Sequence, residues 1–293
     1  VDDREALERA WLALVLARGV GSRTLARIAR AAAEAGHAIP ALPGAESAWL
    51  RATFGLSPSV AAAVQAASAE AAPVRALEGA LAERGIGLVA LHDAEYPARL
   101  REALGAAAPP LLYLEGDASL LRAPSVAIAA SRRPAPEARE AARSWVRRLR
   151  EGGRVVVRGE STPLDRAVAA ETPGADIAVL STGILAKAGR GAPAPARGLR
   201  LGFVHPHWGF KGSVERERNA VQAALADLLV VLEARPGGVV EQTARRALAW
   251  GRPVLVREAR GGPRAEAARR LLEAGARLLS GEAVAAVTGR AAP

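Results

Sequence analysis

Cysteine is absent from the 293 residues, and with it go disulfides, thiolate chemistry and Cys-ligated zinc. Aromatic side chains make up only 3% of the chain, which argues against a surface built mainly on stacked bases. No apolar run approaches the ~18 residues that a membrane-spanning helix needs. The longest near the start, Ala10 to Ala17, is stopped by Arg18, so no membrane association is expected. The first residues, Val-Asp-Asp-Arg, are acidic where an export signal would be basic, and the expected location is the cytoplasm. Histidine occurs four times, and only His205 and His207 have a ligand-like spacing. Two residues apart on a strand share a face, but without a nearby carboxylate they make a poor site, and no metal is expected.

What is abundant is arginine. Lys+Arg 40 against Asp+Glu 30 gives a net charge of +10, and lysine contributes only Lys187 and Lys211. The planar guanidinium fork suits phosphate better than a point charge does, so the balance points to a polyanionic partner or to a coding bias that also inflates Ala, Gly and Pro.

The first 70 residues read as helices alone. Residues 5–17 carry a helical apolar period (Leu7, Trp11, Leu14, Val15) that breaks at Gly19-Val20-Gly21, and Ser22 is placed to cap a second helix to about Ala35. This is either a helix-hairpin-helix element, whose amides face a DNA phosphate, or a plain packed helical hairpin. From Gly85 the pattern changes. Strands are expected at 87–91, 111–114, 126–130, 154–157, 177–181, 201–205, 228–233 and 253–257. Helices are expected at 137–150, 164–171, 214–226, 240–250 and 265–274. Such alternation predicts an α/β, Rossmann-like domain: a mostly parallel sheet with helices on both faces. The expected division is a helical domain over 1–78 and a Rossmann-like domain over 79–293, with a flexible loop at 183–198.

Ligands of such sheets bind beyond the carboxyl ends of the strands. The strand Val126–Ala130 runs into Ser131-Arg132-Arg133-Pro134 and then a helix. A hydroxyl, guanidinium groups and free amides together suit an anion, unless the segment is only a solvated turn. No Gly-x-Gly-x-x-Gly follows, so no dinucleotide cofactor is expected, and no Walker-type loop is present to support nucleotide hydrolysis. Trp208 and Phe210, near Lys211, either offer a base a stacking face or, in the case of Trp208, pack beneath the loop. Arg139, Arg143, Arg147 and Arg150 line one helical face, which either follows a DNA backbone or is simply solvated.

These stretches, in order, resemble the DNA-processing protein A (DprA/Smf) family. The residues that carry the resemblance are Ala130-Ser131-Arg132, Tyr96-Pro97-Ala98-Arg99-Leu100, Pro110 to Gly116, Val155 to Gly159 with Leu164-Asp165, and Arg218-Asn219. Further matches are Leu225 to Ala234, Thr243-Ala244, Gly251-Arg252 and Leu272 to Ala276. The resemblance implies a protein that is not an enzyme. It would be a dimer that binds single-stranded DNA at the sheet's carboxyl edge and loads a RecA-type recombinase during natural transformation. Carried over, Ser131, Arg132 and Arg133 would meet phosphate, and Gly159 would permit close backbone approach. Arg216, Arg218 and Asn219 would add further contacts, with Lys211 beside them. The chain departs from the family at Ala130, where a glycine is usual, and at Glu160, which puts a negative charge on the expected phosphate path. Pro163 replaces another glycine, and Glu215 replaces an aromatic.

Two other readings use the same fold. One is a nucleotide-sensing module. The other is a phosphoribohydrolase-like enzyme, since Pro236-Gly237-Gly238 resembles the motif of the lysine-decarboxylase-like family. There the catalytic glutamate position is Ala244, with Glu241 the only substitute nearby.

Overall fold

In the computed structural model of the chain, the described residues are 3–174, 176–188, 195, 197–259 and 261–288. Five helices come first: α1 (Asp3–Leu16), α2 (Ser22–Ala35), α3 (Ser47–Phe54), α4 (Pro58–Gln65) and α5 (Ala72–Ala82). Ser22 does not cap α2. Gly21 is the capping residue, without a side-chain bond, and Ser22 is the first helical residue.

The antiparallel pair β1 (Ile86–Ala90) and β2 (Leu111–Gly116) flanks α6 (Ala98–Leu104). Then come β3 (Ser125–Ala130), α7 (Pro136–Glu151), β4 (Val155–Arg158), α8 (Pro163–Glu171), β5 (Asp176–Val179), α9 (Ile184–Ala188) and β6 (Leu199–Gly202). The second half runs α10 (Gly212–Leu225), β7 (Leu228–Glu233), α11 (Val239–Ala249), β8 (Val254–Val256), α12 (Gly262–Glu273), β9 (Arg277–Leu278) and α13 (Gly281–Thr288). Part of the expected loop at 183–198 is therefore helix α9, with Ile184 and Leu185 buried. Residues 189–194 and 196 of that stretch lie outside the described residues.

The strands form one sheet in the order β1-β2-β6-β5-β4-β3-β7-β8-β9, parallel from β6 to β9. The expected Rossmann-like sheet after a helical leader is what the chain adopts. Period-two alternation sorts the strand side chains into two apolar layers. Val126, Ile128, Val156, Leu228, Val230 and Leu232 face α7 and α8. Ala127, Val155, Val157, Leu229 and Val231 join a larger core that includes α10, α11 and, without a break, the leader residues Trp11, Leu14 and Ile28.

One consequence of the strand order positions the site. From β3 the chain steps through β4 and β5 to β6, then returns to lay β7 on the other side of β3. The connections after β3 and β7 thus leave on opposite sides, and a crevice opens at their carboxyl ends.

Candidate nucleic-acid interface

A cavity of about 500 Å³ occupies that crevice. Its lining brings together Ser131, Arg132, Arg133, Arg216, Arg218 and Asn219, six of the eight residues expected from the sequence. Ser131 continues β3, its amide donating to the carbonyl of Glu233 at the end of β7, 3.0 Å away. Pro134 is buried, and the amide of Ala135 donates to Glu233 Oε2 at 2.9 Å, which fixes the turn into α7. Arg132 and Arg133 therefore project from a rigid turn while remaining exposed.

Arg218 is the unusual member. It is only 4% exposed, yet among the described residues its one hydrogen bond runs from Nη1 to Gln222 Oε1 at 2.8 Å, and its Nε has no partner. It forms no ion pair among the described residues. Burial pulls its proton affinity below the ordinary arginine value, with Asp165 and then Glu215 acting in the opposite direction. A guanidinium stays charged even so, and a buried cation with unmet donors is costly until an anion reaches it.

Gln222, which sequence reasoning missed, holds this arginine. Its Nε2 donates to the carbonyls of Ile128 (2.8 Å) and Val157 (3.1 Å), so β3 and β4 together aim its Oε1 at Arg218. The available signal was a lone amide within the apolar run Ala220-Val-Gln-Ala-Ala-Leu225 of a buried helix.

Gly159 lies behind Arg218 rather than open to a ligand. A Cβ there would stand 2.1 Å from Arg218 Nη1 and 2.9 Å from Asp165 Oδ2. The close approach expected at Gly159 is therefore made by the protein's own guanidinium. Asp165 organises the same loop. It accepts from the amides of Gly159 (3.1 Å), Ser161 (3.0 Å) and Thr162 (2.8 Å) and from Thr162 Oγ1 (2.8 Å), and with Thr162 it forms the capping box of α8. Pro163 costs this loop nothing, since it takes the first helical position, where no amide bond is needed.

The other departures resolve differently. Glu160 does not obstruct the cavity. It turns away toward Lys187 (3.1 Å) and Arg200 (3.4 Å). Ala130 lines the cavity, and Glu215 lines it too, with its Oε2 taken by Arg132 Nη2. Lys211 stands apart from the cavity lining, its Nζ 3.4 Å from the centre of the Trp208 ring. His205 stacks on Trp208 at 5.8 Å and 13°, so the ring does not offer an open face for a base, whereas Phe210 is exposed. Burial, then His207 and Lys211, holds His205 below the usual histidine range. The α7 stripe is partly engaged elsewhere: Arg147 pairs with Glu171 at 3.2 Å, and Arg150 donates to the Glu171 carbonyl at 2.6 Å.

The groups a phosphoribohydrolase would use are otherwise occupied. Ala244 is fully buried, and Glu241 accepts from the Gly237 amide (2.7 Å) and from Arg245 (3.0 Å), closing the loop before α11. No described helix is long and apolar enough to cross a membrane.

A family model described as DNA recombination-mediator protein A matches residues 87–288. Among solved structures the chain is similar to DNA processing protein A from Streptococcus pneumoniae, with a TM-score of 0.76 and 21% identity over 95% of this chain and 97% of that one. It is also similar to DNA processing protein A from Helicobacter pylori, whose structure concerns its single-stranded DNA binding mode. There the TM-score is 0.58 and the identity 22%, over 69% of this chain and 94% of that one. No curated protein matches the chain.

Proposed function

The chain belongs to the DNA recombination-mediator protein A family, and from that premise we propose that it binds single-stranded DNA through the cavity between β3 and β7. The observation that carries this reading is Arg218, a buried cation with one unpartnered nitrogen among the described residues, which lines a cavity together with four further arginines. A phosphate in the cavity would meet Arg218 from below and Arg132, Arg133 and Arg216 from the exposed rim. Ser131 and Asn219 supply neutral hydrogen bonds, Gly159 leaves room for the buried guanidinium, and Lys211 contacts the strand beyond the cavity. Recognition is of the backbone and carries no sequence preference.

The finer role follows the family. The protein works in the cytoplasm as a dimer that hands single strands to a RecA-type recombinase during natural transformation, and it hydrolyses nothing. The division into a helical domain over 1–78 and a Rossmann-like domain over 79–293 belongs to the same proposal.

The test is fluorescence anisotropy with labelled oligo(dT) and a matching duplex at two salt concentrations. Tighter binding to the single strand, weakening steeply with salt, is expected. Equal affinity for duplex, or no binding at low salt, overturns the reading. Faster recombinase filament growth on oligo(dT) coated with single-strand binding protein tests the finer role.

A further inference from the structure

Arg235 lines the cavity but has no part in the contacts described so far. It is exposed, and its side chain has neither an ion pair nor a hydrogen bond among the described residues. Its place mirrors that of Arg132. The register pairs Ala130 of β3 with Glu233 of β7, and each arginine follows its strand end by two residues. Neighbouring strands lie roughly 5 Å apart, but here the chain leaves them on opposite sides, so Arg132 and Arg235 stand on opposite lips of the crevice.

The turn that carries Arg235 is fixed. Arg235-Pro236-Gly237-Gly238 has the pattern of a type II turn, with proline second and glycine third at φ +68°, in the left-handed region. The Gly238 amide closes the turn on the Arg235 carbonyl at 2.9 Å, and Gln242 Nε2 donates to the Gly237 carbonyl at 2.8 Å. The Pro-Gly-Gly sequence that resembles an enzyme motif is here the mount of an arginine. The charge of the lining calls for more than one anion. Five arginines stand against two carboxylates, a surplus of three. Asp165 accepts from its own loop and Glu215 pairs with Arg132, so neither answers Arg235. A phosphodiester brings one negative charge, and one phosphate at Arg218 leaves cations unmatched. The volume, about 500 Å³, also suits a whole small ligand rather than one phosphate group.

We propose that Arg235 forms a second phosphate subsite, so that a single strand crosses the crevice with one phosphodiester at Arg218 and its neighbour at Arg235. This rests on the reading of the cavity as a DNA phosphate site. A guanidinium on a fixed turn is ready for charge-assisted contact with the second phosphate. Once the first phosphate is held, the second contact is intramolecular, and the pair binds more tightly than either alone.

The test uses the thymidine dinucleotide TpT and trinucleotide TpTpT, which carry one and two phosphodiesters. Each displaces labelled oligo(dT) from the full chain at one pH and salt concentration. The parent is expected to bind TpTpT roughly tenfold more tightly than TpT. Arg235→Gln is expected to remove most of that preference by weakening TpTpT far more than TpT. It should also lower the salt slope of oligo(dT) binding by about 0.7. Arg235→Lys keeps the charge and is expected to keep the slope, with part of the preference. A parent that does not prefer TpTpT overturns the proposal without any variant. So does an Arg235→Gln that leaves the preference in place, since Arg235 then touches no phosphate, or that weakens both ligands equally, since it then shares the first. Arg218→Met separates the two levels. If oligo(dT) binds this variant as it binds the parent, the DNA reading fails. If binding is lost there while Arg235→Gln leaves the preference alone, only the second subsite fails.

Discussion

Arg200 on β6 and Arg218 on α10 are buried to nearly the same depth, 7% and 4% exposed, yet their surroundings are opposites. Arg200 donates to Glu115 and lies 3.4 Å from Glu160. Those carboxylates extend the network to Arg84, at 2.9 Å from Glu115, and to Lys187. Alongside, Arg158 pairs with Asp176 at 2.5 Å and opposes the upward shift that burial imposes on that carboxyl. Among the described residues, Arg218 has one amide oxygen and an unpartnered Nε. A buried cation matched by carboxylates joins strands together. One left short of acceptors, beneath a crevice, marks where a ligand's charge is needed.

The comparison breaks most sharply at Glu115. Glu115→Ala leaves Arg200 and Arg84 without their shared carboxylate, and loss of about 3–5 kcal/mol in urea unfolding is expected, with oligo(dT) binding retained by the molecules that fold. Arg218→Met inverts this pattern. Removing a poorly matched buried cation leaves stability equal or higher, while oligo(dT) affinity falls by roughly a hundredfold, in keeping with ~1.5–3 kcal/mol for each charge-assisted contact. If Arg218→Met unfolds the protein as Glu115→Ala does, the two arginines are alike and the contrast is false.

Gly159→Ala should fall between them. The new methyl group meets Arg218 Nη1 at 2.1 Å, and the guanidinium cannot move freely because Gln222 is anchored to two strands. Destabilisation of about 1–3 kcal/mol is expected, with oligo(dT) affinity roughly tenfold weaker because Arg218 is displaced. The double variant Gly159→Ala, Arg218→Met removes the contact with the guanidinium but keeps the one at 2.9 Å with Asp165 Oδ2, so it should recover part of the stability and none of the binding.

The sheet and most arginines of the cavity were legible in the sequence, the Arg200 network was not, and the parts that were not share a cause. β7 falls at the expected 228–233 because a run buried on both faces needs no information from elsewhere. Arg132 was legible through its position directly after a strand, and Arg218 only through the family resemblance of Arg218-Asn219. β9 was not, since two exposed residues, Arg277 and Leu278, carry no pattern. Nor was the direction of Glu160, which is decided by Lys187 and Arg200, 27 and 40 residues further along. Trp208 was ambiguous for the same reason. Whether an aromatic ring is open depends on what stacks against it, here His205 and Lys211.

The smallest effect is expected on α7, where the sequence left open whether four arginines follow a DNA backbone. Helix geometry separates Arg139 from Arg150 by roughly 16 Å, so only the first lies near the carboxyl end of β3, where α7 begins. Arg147 and Arg150 are tied to α8 through the Glu171 carboxylate and carbonyl, and Arg143 lies 3.8 Å from Glu140, leaving Arg139 as the arginine of the four whose side chain has neither an ion pair nor a hydrogen bond among the described residues. A strand laid along this face would lose about 0.7 from its salt slope for each phosphate contact removed. Anisotropy titrations of Arg139→Ala and Arg147→Ala across salt are expected to show neither that change nor more than about a twofold loss of affinity. A reduced slope in Arg139→Ala alone would extend the DNA path from the cavity onto the first turn of α7. A reduced slope in both would carry it along the whole helix, and the cavity would then be one end of a longer groove.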